Sequence, residues 1–313
     1  MLNFILFIVS LLFVIKAADF AMQAADKLAE KLNFSKYLIG FLLVAIISIL
    51  PETFISLSAA WQGIPSFGLG TLFGSNVADL TLVLVIIIFV SNTALKVESS
   101  LIKNSSWYLA ILAVPVIFGL DGYYSRIDGL VLLFTGLAFY FFLFKKEKHS
   151  KKKDKRKISW SHFFALLFFM GILLVASHFT VTFGIALASD LKISPILIGM
   201  LFVGVGTTLP ELFFSLKAVK DKQHALALGD VLGTVISDAT IIVGLMTLIR
   251  PFAFNFRIVY VTAMFMLFAA VLLFYFMQSG KTVSKKEAWF LLFYYLLFIL
   301  VEFGLSHYLS INT

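Results

Sequence analysis

Four acidic residues stand where acids are costly. Glu52 and Asp79 lie in long apolar stretches of the first half of the chain, and Glu211 and Asp238 take the equivalent places 159 residues later. A carboxylate at bilayer depth costs about 2.5–3.5 kcal/mol even on a lenient insertion scale, so four in duplicated positions need a purpose, and a bound cation supplies one. Ser48 and Thr207 lie four residues before the two glutamates, and Ser75 and Thr234 four residues before the two aspartates. Residues spaced by four share a helix face. Pro51 and Pro210 immediately precede the glutamates. Proline removes an amide donor and clashes one turn back, so each helix kinks there, and the freed carbonyls need a cation, water or protein as partner. Carbonyl, hydroxyl and carboxylate together make a hard-oxygen site suited to Na⁺, Ca²⁺ or Mg²⁺. Neutralisation by buried bases is disfavoured, because Lys16 is the one basic residue deep in an apolar run.

The acids belong to a repeat. From Leu38 to Thr81, 17 of 44 positions are identical to those 159 residues further on, without a gap. Gly70 and Gly74, matched by Gly229 and Gly233, form small-xxx-small patterns that let helices approach closely. The expectation is a Glu helix paired with an Asp helix in each half, with four carboxylates around one point.

The chain has 313 residues, 61% of them hydrophobic and 13% charged, with 36 Phe and no Cys. Several runs exceed the roughly 18 apolar residues that mark a membrane helix, and none alternates like a barrel strand. Disulfides, thiolate metal sites and Cys nucleophiles are excluded, and the net charge of +8 sits in loops rather than in a nucleic-acid patch. The expected fold is an all-α membrane protein. Ten transmembrane helices are read at about 2–22, 37–61, 66–92, 105–120, 127–144, 158–180, 194–218, 224–249, 257–279 and 287–308. The first is read as a membrane helix rather than a cleaved signal, since it lacks a basic start. The helices form two inverted five-helix repeats, 1–144 and 158–313, joined by a basic cytoplasmic linker at 145–157. Five spans between copies make the second copy enter from the opposite side, an arrangement common in secondary transporters. Placing both termini outside leaves about 20 Lys and Arg inside and about four outside, as the positive-inside rule prefers.

The blocks Gly204-Val-Gly-Thr-Thr-Leu-Pro-Glu211 and Gly74-Ser-Asn-Val-Ala-Asp79 resemble the α-repeats of the cation/Ca²⁺ antiporter superfamily, most closely its prokaryotic sodium/calcium exchangers. The resemblance spans nearly the whole chain. It implies a core of the second, third, seventh and eighth helices, with the first and sixth sliding past it. By position it makes Glu52 and Glu211 the paired Ca²⁺ carboxylates. Ser48 and Thr207 ligate through backbone oxygen, Ala45 and Gly204 are further carbonyl ligands, and Ser75 and Thr234 give Na⁺ hydroxyls. Asp79 and Asp238 fall at the middle of the site. The chain departs from the family pattern at Ile47, Ile49 and Val235, and carries Asp at both middle positions.

The implied activity is antiport of Ca²⁺ against Na⁺ by alternating access in a prokaryotic inner membrane. Alternatives are Ca²⁺/H⁺ exchange, K⁺-dependent Na⁺/Ca²⁺ exchange, or a cation channel. The expected partners are inorganic cations and membrane lipid, with no nucleic acid, no resident cofactor and a functional monomer. An enzyme is not expected: Ala227-Leu-Gly-Asp230 approaches an intramembrane aspartic protease motif but lacks its first Gly. Lys16 and Asp19 are expected to pair locally. His178, opposite Asp19 in the repeat, is read as an orienting or interfacial residue. Glu302 and His307 are read as reaching water, the Phe139–Phe144 run as lipid contact or packing, and Trp61 and Trp160 as interfacial.

Overall fold

The structure, a computed structural model, describes residues 2–29, 49–97, 105–145 and 160–312. Its helices are α1 (Leu2–Ala29), α2 (Leu50–Trp61), α3 (Pro65–Ser91), α4 (Ser105–Asp121), α5 (Arg126–Lys145), α6 (Trp160–Leu191), α7 (Pro195–Lys220), α8 (His224–Ile249), α9 (Phe256–Gly280) and α10 (Lys285–Asn312). Among the described residues seven stretches are long and apolar enough to cross a bilayer, in α1, α3, α6, α7, α8, α9 and α10, and α4 is a shorter apolar helix. Such lengths of continuous hydrophobicity make this an integral membrane protein. Residues 37–48 of the expected second helix, and the linker beyond Lys145, lie outside the described residues.

Helix ends depart from the expected ones mainly at α1 and α6. The sixth helix was expected to stop at 180 but continues to Leu191. The Thr180 and Thr182 hydroxyls donate to carbonyls one turn back, Ala176 at 2.9 Å and His178 at 2.9 Å. Hydroxyls folded back in this way find acceptors on the backbone of their own helix.

Two separate apolar clusters hold the helices together. The larger runs through α3, α4, α7, α8, α9 and α10. The smaller joins α1 and α6, which pack along each other, to Ile55 and Ala59 of α2, Phe67 of α3, and Ile198 and Val203 of α7.

Two short antiparallel ribbons tie the loops. Leu95–Lys96, after α3, pairs with Thr282–Val283, between α9 and α10. Tyr123–Tyr124, between α4 and α5, pairs with Phe252–Ala253, after α8. Each ribbon joins a loop of one half to a loop of the other, and the loops exchange roles between the two. The buried Tyr124 hydroxyl fixes the second ribbon by donating to the Pro115 carbonyl at 2.6 Å, and burial pushes that phenol's pKa up.

The glycine stripe works differently from the expectation. A Cβ on Gly70 would lie 2.5 Å from the Ile196 carbonyl oxygen, and one on Gly74 2.3 Å from that of Met200. Gly70 and Gly74 therefore seat α3 against α7, across the two halves rather than within one. Within each half a serine makes the link instead. Ser56 donates to the Gly68 carbonyl at 3.3 Å, and its repeat mate Ser215 donates to the Ala227 carbonyl at 3.4 Å.

Candidate functional site

The kink is the same in both halves. Ile49 has φ −74 and ψ 0, and its counterpart Thr208 has φ −76 and ψ −1. A regular helix holds ψ near −42°, so the chain pauses at both points before a new helix starts. Pro51 and Pro210 fall in the first turn of that helix, where a missing N–H costs nothing. Glu52 and Glu211 fall in the same turn, at the positive end of the helix dipole. Before the break, the Thr207 hydroxyl donates to the Gly204 carbonyl at 3.1 Å and the Thr208 hydroxyl to that of Val205 at 2.9 Å. Pro210 has no N–H to offer the Gly206 carbonyl one turn earlier. Thr207 also neighbours the Glu52 carboxylate, so the second half's broken helix reaches the first half's acid.

The aspartates sit where their helices loosen. The turn Asp79–Val83 in α3 and the turn Ser237–Ile242 in α8 are π-helical, a wide winding often found at functional sites. The Ser75 hydroxyl donates to Asp238 Oδ2 at 3.2 Å as well as to the Leu72 carbonyl at 3.0 Å. Asn76 Nδ2 lies 3.4 Å from the carbonyl of Val235, its own repeat mate. The two Asp helices thus meet at equivalent residues. Tyr140 of α5 braces α8 with its hydroxyl, which donates to the Gly233 carbonyl at 3.0 Å and contacts the Ser237 hydroxyl.

Glu52, Asp79, Glu211 and Asp238 are all 0% exposed. Both oxygens of Glu52, Asp79 and Glu211, and Oδ1 of Asp238, lack a hydrogen-bond partner. Glu52 acts electrostatically on the other three acids, and Asp79 acts on Glu211 and Asp238. Asp230, held by Ser215 at 3.3 Å, adds its field to Asp79 and Glu211. The acids share one interior region, yet among the described residues no three acidic or histidine side chains converge on a point where one ion would touch them all. Like charges in a dry interior repel strongly. The expectation of four carboxylates around one point is met as a neighbourhood rather than as a ready four-acid cage.

The other expected ligands divide. Thr207, Ser75, Thr234 and Gly204 are buried in this region. Gly204 packs so tightly on α3 that a Cβ there would lie 2.8 Å from the Ser75 nitrogen. Ser48 and Ala45 lie outside the described residues. Lys16 and Asp19 do pair, at 3.8 Å. His178 points outward, and its carbonyl accepts from Gln62 Nε2 at 3.1 Å. Trp61 and Trp160 are exposed. Glu302 corrects the expectation of a water-facing acid: it is 0% exposed and accepts from Thr262. The side chain of His307 lies outside the described residues. Ser56 and Ser215 could have been found, because they are identical in the repeat. Tyr140 could not, since its place beside Ser237 has no signature in spacing.

The chain matches the profile of the family described as sodium/calcium exchanger protein over residues 2–145 and 161–304. It is 24% identical over 347 residues to the sodium/calcium exchanger MaX1 of Methanosarcina acetivorans, an alignment covering 96% of this chain and 98% of that one. It is 31% identical over 235 residues to an uncharacterized membrane protein of Methanocaldococcus jannaschii, covering 74% and 77%. Among solved structures it superposes on the sodium-calcium exchanger NCX_Mj soaked with Na⁺ and Sr²⁺, with a TM-score of 0.69 at 25% identity over 96% of this chain and 98% of that one. With kinks, buried acids and interlocked halves placed alike along both matched segments, the chain belongs to the sodium/calcium exchanger protein family.

Proposed function

We propose that this protein is a secondary antiporter that exchanges Ca²⁺ for Na⁺ by alternating access. The observation that carries the reading is the set of four buried acids, duplicated across two halves, whose oxygens lack protein donors almost throughout. A bare buried carboxylate is untenable, so each must take up a cation or a proton during the cycle. Family membership and the likeness to NCX_Mj support Na⁺ and Ca²⁺ as the cargo. Glu52 and Glu211 serve as the principal Ca²⁺ carboxylates. Ser75 and Thr234 contribute hydroxyls to Na⁺, and backbone oxygens at Ala45, Ser48, Gly204 and Thr207 complete the ligand set. Asp79 and Asp238 stand between them.

The architecture we infer is ten transmembrane helices as two inverted five-helix repeats. The exchanged loop roles in the two ribbons, the matching kinks and the contact of Asn76 with Val235 all support a two-fold relation between halves. Helices α1 and α6 are the sliding pair, since a separate apolar cluster carries them. The protein works as a monomer in a prokaryotic inner membrane with both termini outside, and the charge of the loops supports that orientation.

Ca²⁺ and Na⁺ compete for overlapping oxygens, and either neutralises the site enough for α1 and α6 to cross. An empty, charged site is held on one side, which couples the two fluxes. Radiotracer Ca²⁺ uptake into proteoliposomes, driven in turn by Na⁺, K⁺ and pH gradients, tests this directly. Uptake that follows the Na⁺ gradient supports it. Uptake that needs no counter-ion gradient refutes exchange.

A further inference from the structure

A groove runs along the α1–α6 pair on the face turned away from the core. Leu11, Val14, Leu173 and Val181 of the two helices are buried in the smaller apolar cluster, whereas Val9, Phe13, Phe168 and Val175 are exposed along the groove. Its volume is about 830 Å³, within the range of about 300–1,000 Å³ usual for small-molecule sites. One wall comes from α1 between Leu6 and Phe13, and the other from α6 between Leu167 and Phe183. The α6 wall is about 24 Å long by helical rise. Gly171 opens the space, since nothing lies within 4 Å of a Cβ built there. Both helices are continuous apolar spans at this level, Leu2–Ala21 and Trp160–Leu191, so the groove faces hydrocarbon rather than water.

The lining decides what fits. Its one polar side chain is Ser10, and that hydroxyl donates to the Phe7 carbonyl of its own helix at 2.8 Å. An occupant finds no hydrogen bond in the groove, so it must be aliphatic where it lies there. A helix from a second copy fits poorly. Helices in lipid approach closely over small residues, and Phe13, Phe168 and Phe179 stand exposed along this groove. A single flexible chain can pass between those rings and fill the space at Gly171. Half of a bilayer's hydrocarbon is about 15 Å thick, so the groove is long enough for one chain from one leaflet.

A charge stands beside it. Lys16 is three residues beyond Phe13 on α1, in the same row of the helix surface, and its side chain is 72% exposed. It lies inside the apolar span, five residues before Ala21, about 8 Å from that end by helical rise. A lysine stem of this kind carries its ammonium along the helix to the headgroup level. An ammonium has three donors, and Asp19 at 3.8 Å does not exhaust them. We propose that the groove binds one acyl chain of an anionic phospholipid, whose phosphate is held by Lys16. The bound chain touches α1 and α6 together and closes their contact on the lipid side, as the smaller apolar cluster does on the core side. The site is independent of which ions the protein carries.

The test is photolabelling of the full-length protein in phosphatidylcholine vesicles that contain a trace of phosphatidylglycerol with a diazirine in mid-chain, followed by mapping of the labelled peptides. Peptides of α1 and α6 that line the groove should take up several-fold more label than the exposed face of α10 around Trp289, Phe293 and Leu300. Equal labelling of all lipid-facing helices overturns the proposal. Gly171→Phe, which fills the groove, should lower its label to the level of α10. Val175→Trp does the same from the exposed side of α6 if Gly171→Phe misfolds, and groove labelling unchanged in a folded variant overturns the proposal. The same diazirine on phosphatidylcholine should label the groove about fivefold less, since one lysine near an anionic headgroup is worth about 1 kcal/mol. Lys16→Gln should erase that preference, and a native protein without it overturns the assignment of the headgroup. A groove shielded from label in a protein that is dimeric by native mass spectrometry would give the site to a second copy and overturn the proposal.

Discussion

The Ser75 hydroxyl donates to the carboxylate of Asp238, 163 residues away and in the opposite half of the molecule. The equivalent acid, Asp79, has no donor on either oxygen. The halves are therefore related but not equal at their centre, and Asp238 is the aspartate that the protein itself partly satisfies.

Ser75→Ala should expose that difference. It leaves Asp238 with two unpartnered oxygens, at a cost of about 1–3 kcal/mol in the unliganded protein, and on the proposed ligand set it removes one oxygen offered to Na⁺. The apparent Na⁺ requirement should rise about tenfold while Ca²⁺ binding changes less. Na⁺ titrations of Ca²⁺ uptake will measure this, and an equal weakening for both ions would count against a Na⁺ role for Ser75.

Glu52→Gln and Glu211→Gln keep the shape of the site and remove a charge. Each should reduce uptake to that of protein-free vesicles, while size-exclusion profiles and helix content stay native. The two should fail alike, since both acids begin a new helix after the same kink. Full activity in either variant would remove that residue from the site.

Gly74→Ala places a methyl 2.3 Å from the Met200 oxygen, a contact that backbone on both sides cannot relieve. Overpacking of this kind costs about 1–3 kcal/mol, and a clear fall in melting temperature in detergent is expected. Gly171→Ala is the control, because nothing lies within 4 Å of its added methyl. Equal melting temperatures for the two variants would refute the close crossing of α3 and α7.

Gln62 latches the loop after α2 to α6. Its Nε2 donates to the His178 carbonyl at 3.1 Å, and its Oε1 accepts from Thr182 at 3.1 Å. If α6 slides, these bonds break in each stroke. Gln62→Ala should change turnover by about two- to tenfold, given bonds worth about 0.5–1.5 kcal/mol each, and leave ion affinities unaltered. A shifted affinity with unchanged turnover would place Gln62 in the binding step instead.

Much of this was legible in the sequence. The acids stand out because charge in an apolar run has few structural uses, and the repeat assigns each a partner without a structure. The kinks follow from Pro51 and Pro210. Pairing across halves was harder to read. Gly70 and Gly74 announce a close approach but not which helix approaches, because a small-residue stripe fits any partner. Glu302 was misread for a related reason: nearness to a helix end says nothing about the neighbours α9 and α7 that cover it. Tyr140 lay hidden in a phenylalanine-rich run, where one hydroxyl among rings alters hydropathy very little.

The two loop ribbons have a mechanical consequence. They lace together the connections around α3, α4, α5, α8, α9 and α10, and α1 and α6 lie outside that lacing. Among the described residues α1 and α6 meet their neighbours through apolar side chains and a few polar latches, whereas the ribbons fasten α3, α4, α5, α8, α9 and α10 to one another. If α1 and α6 slide as proposed, they act as a loose runner on a stiffer frame, and neither of the two described ribbons has to break.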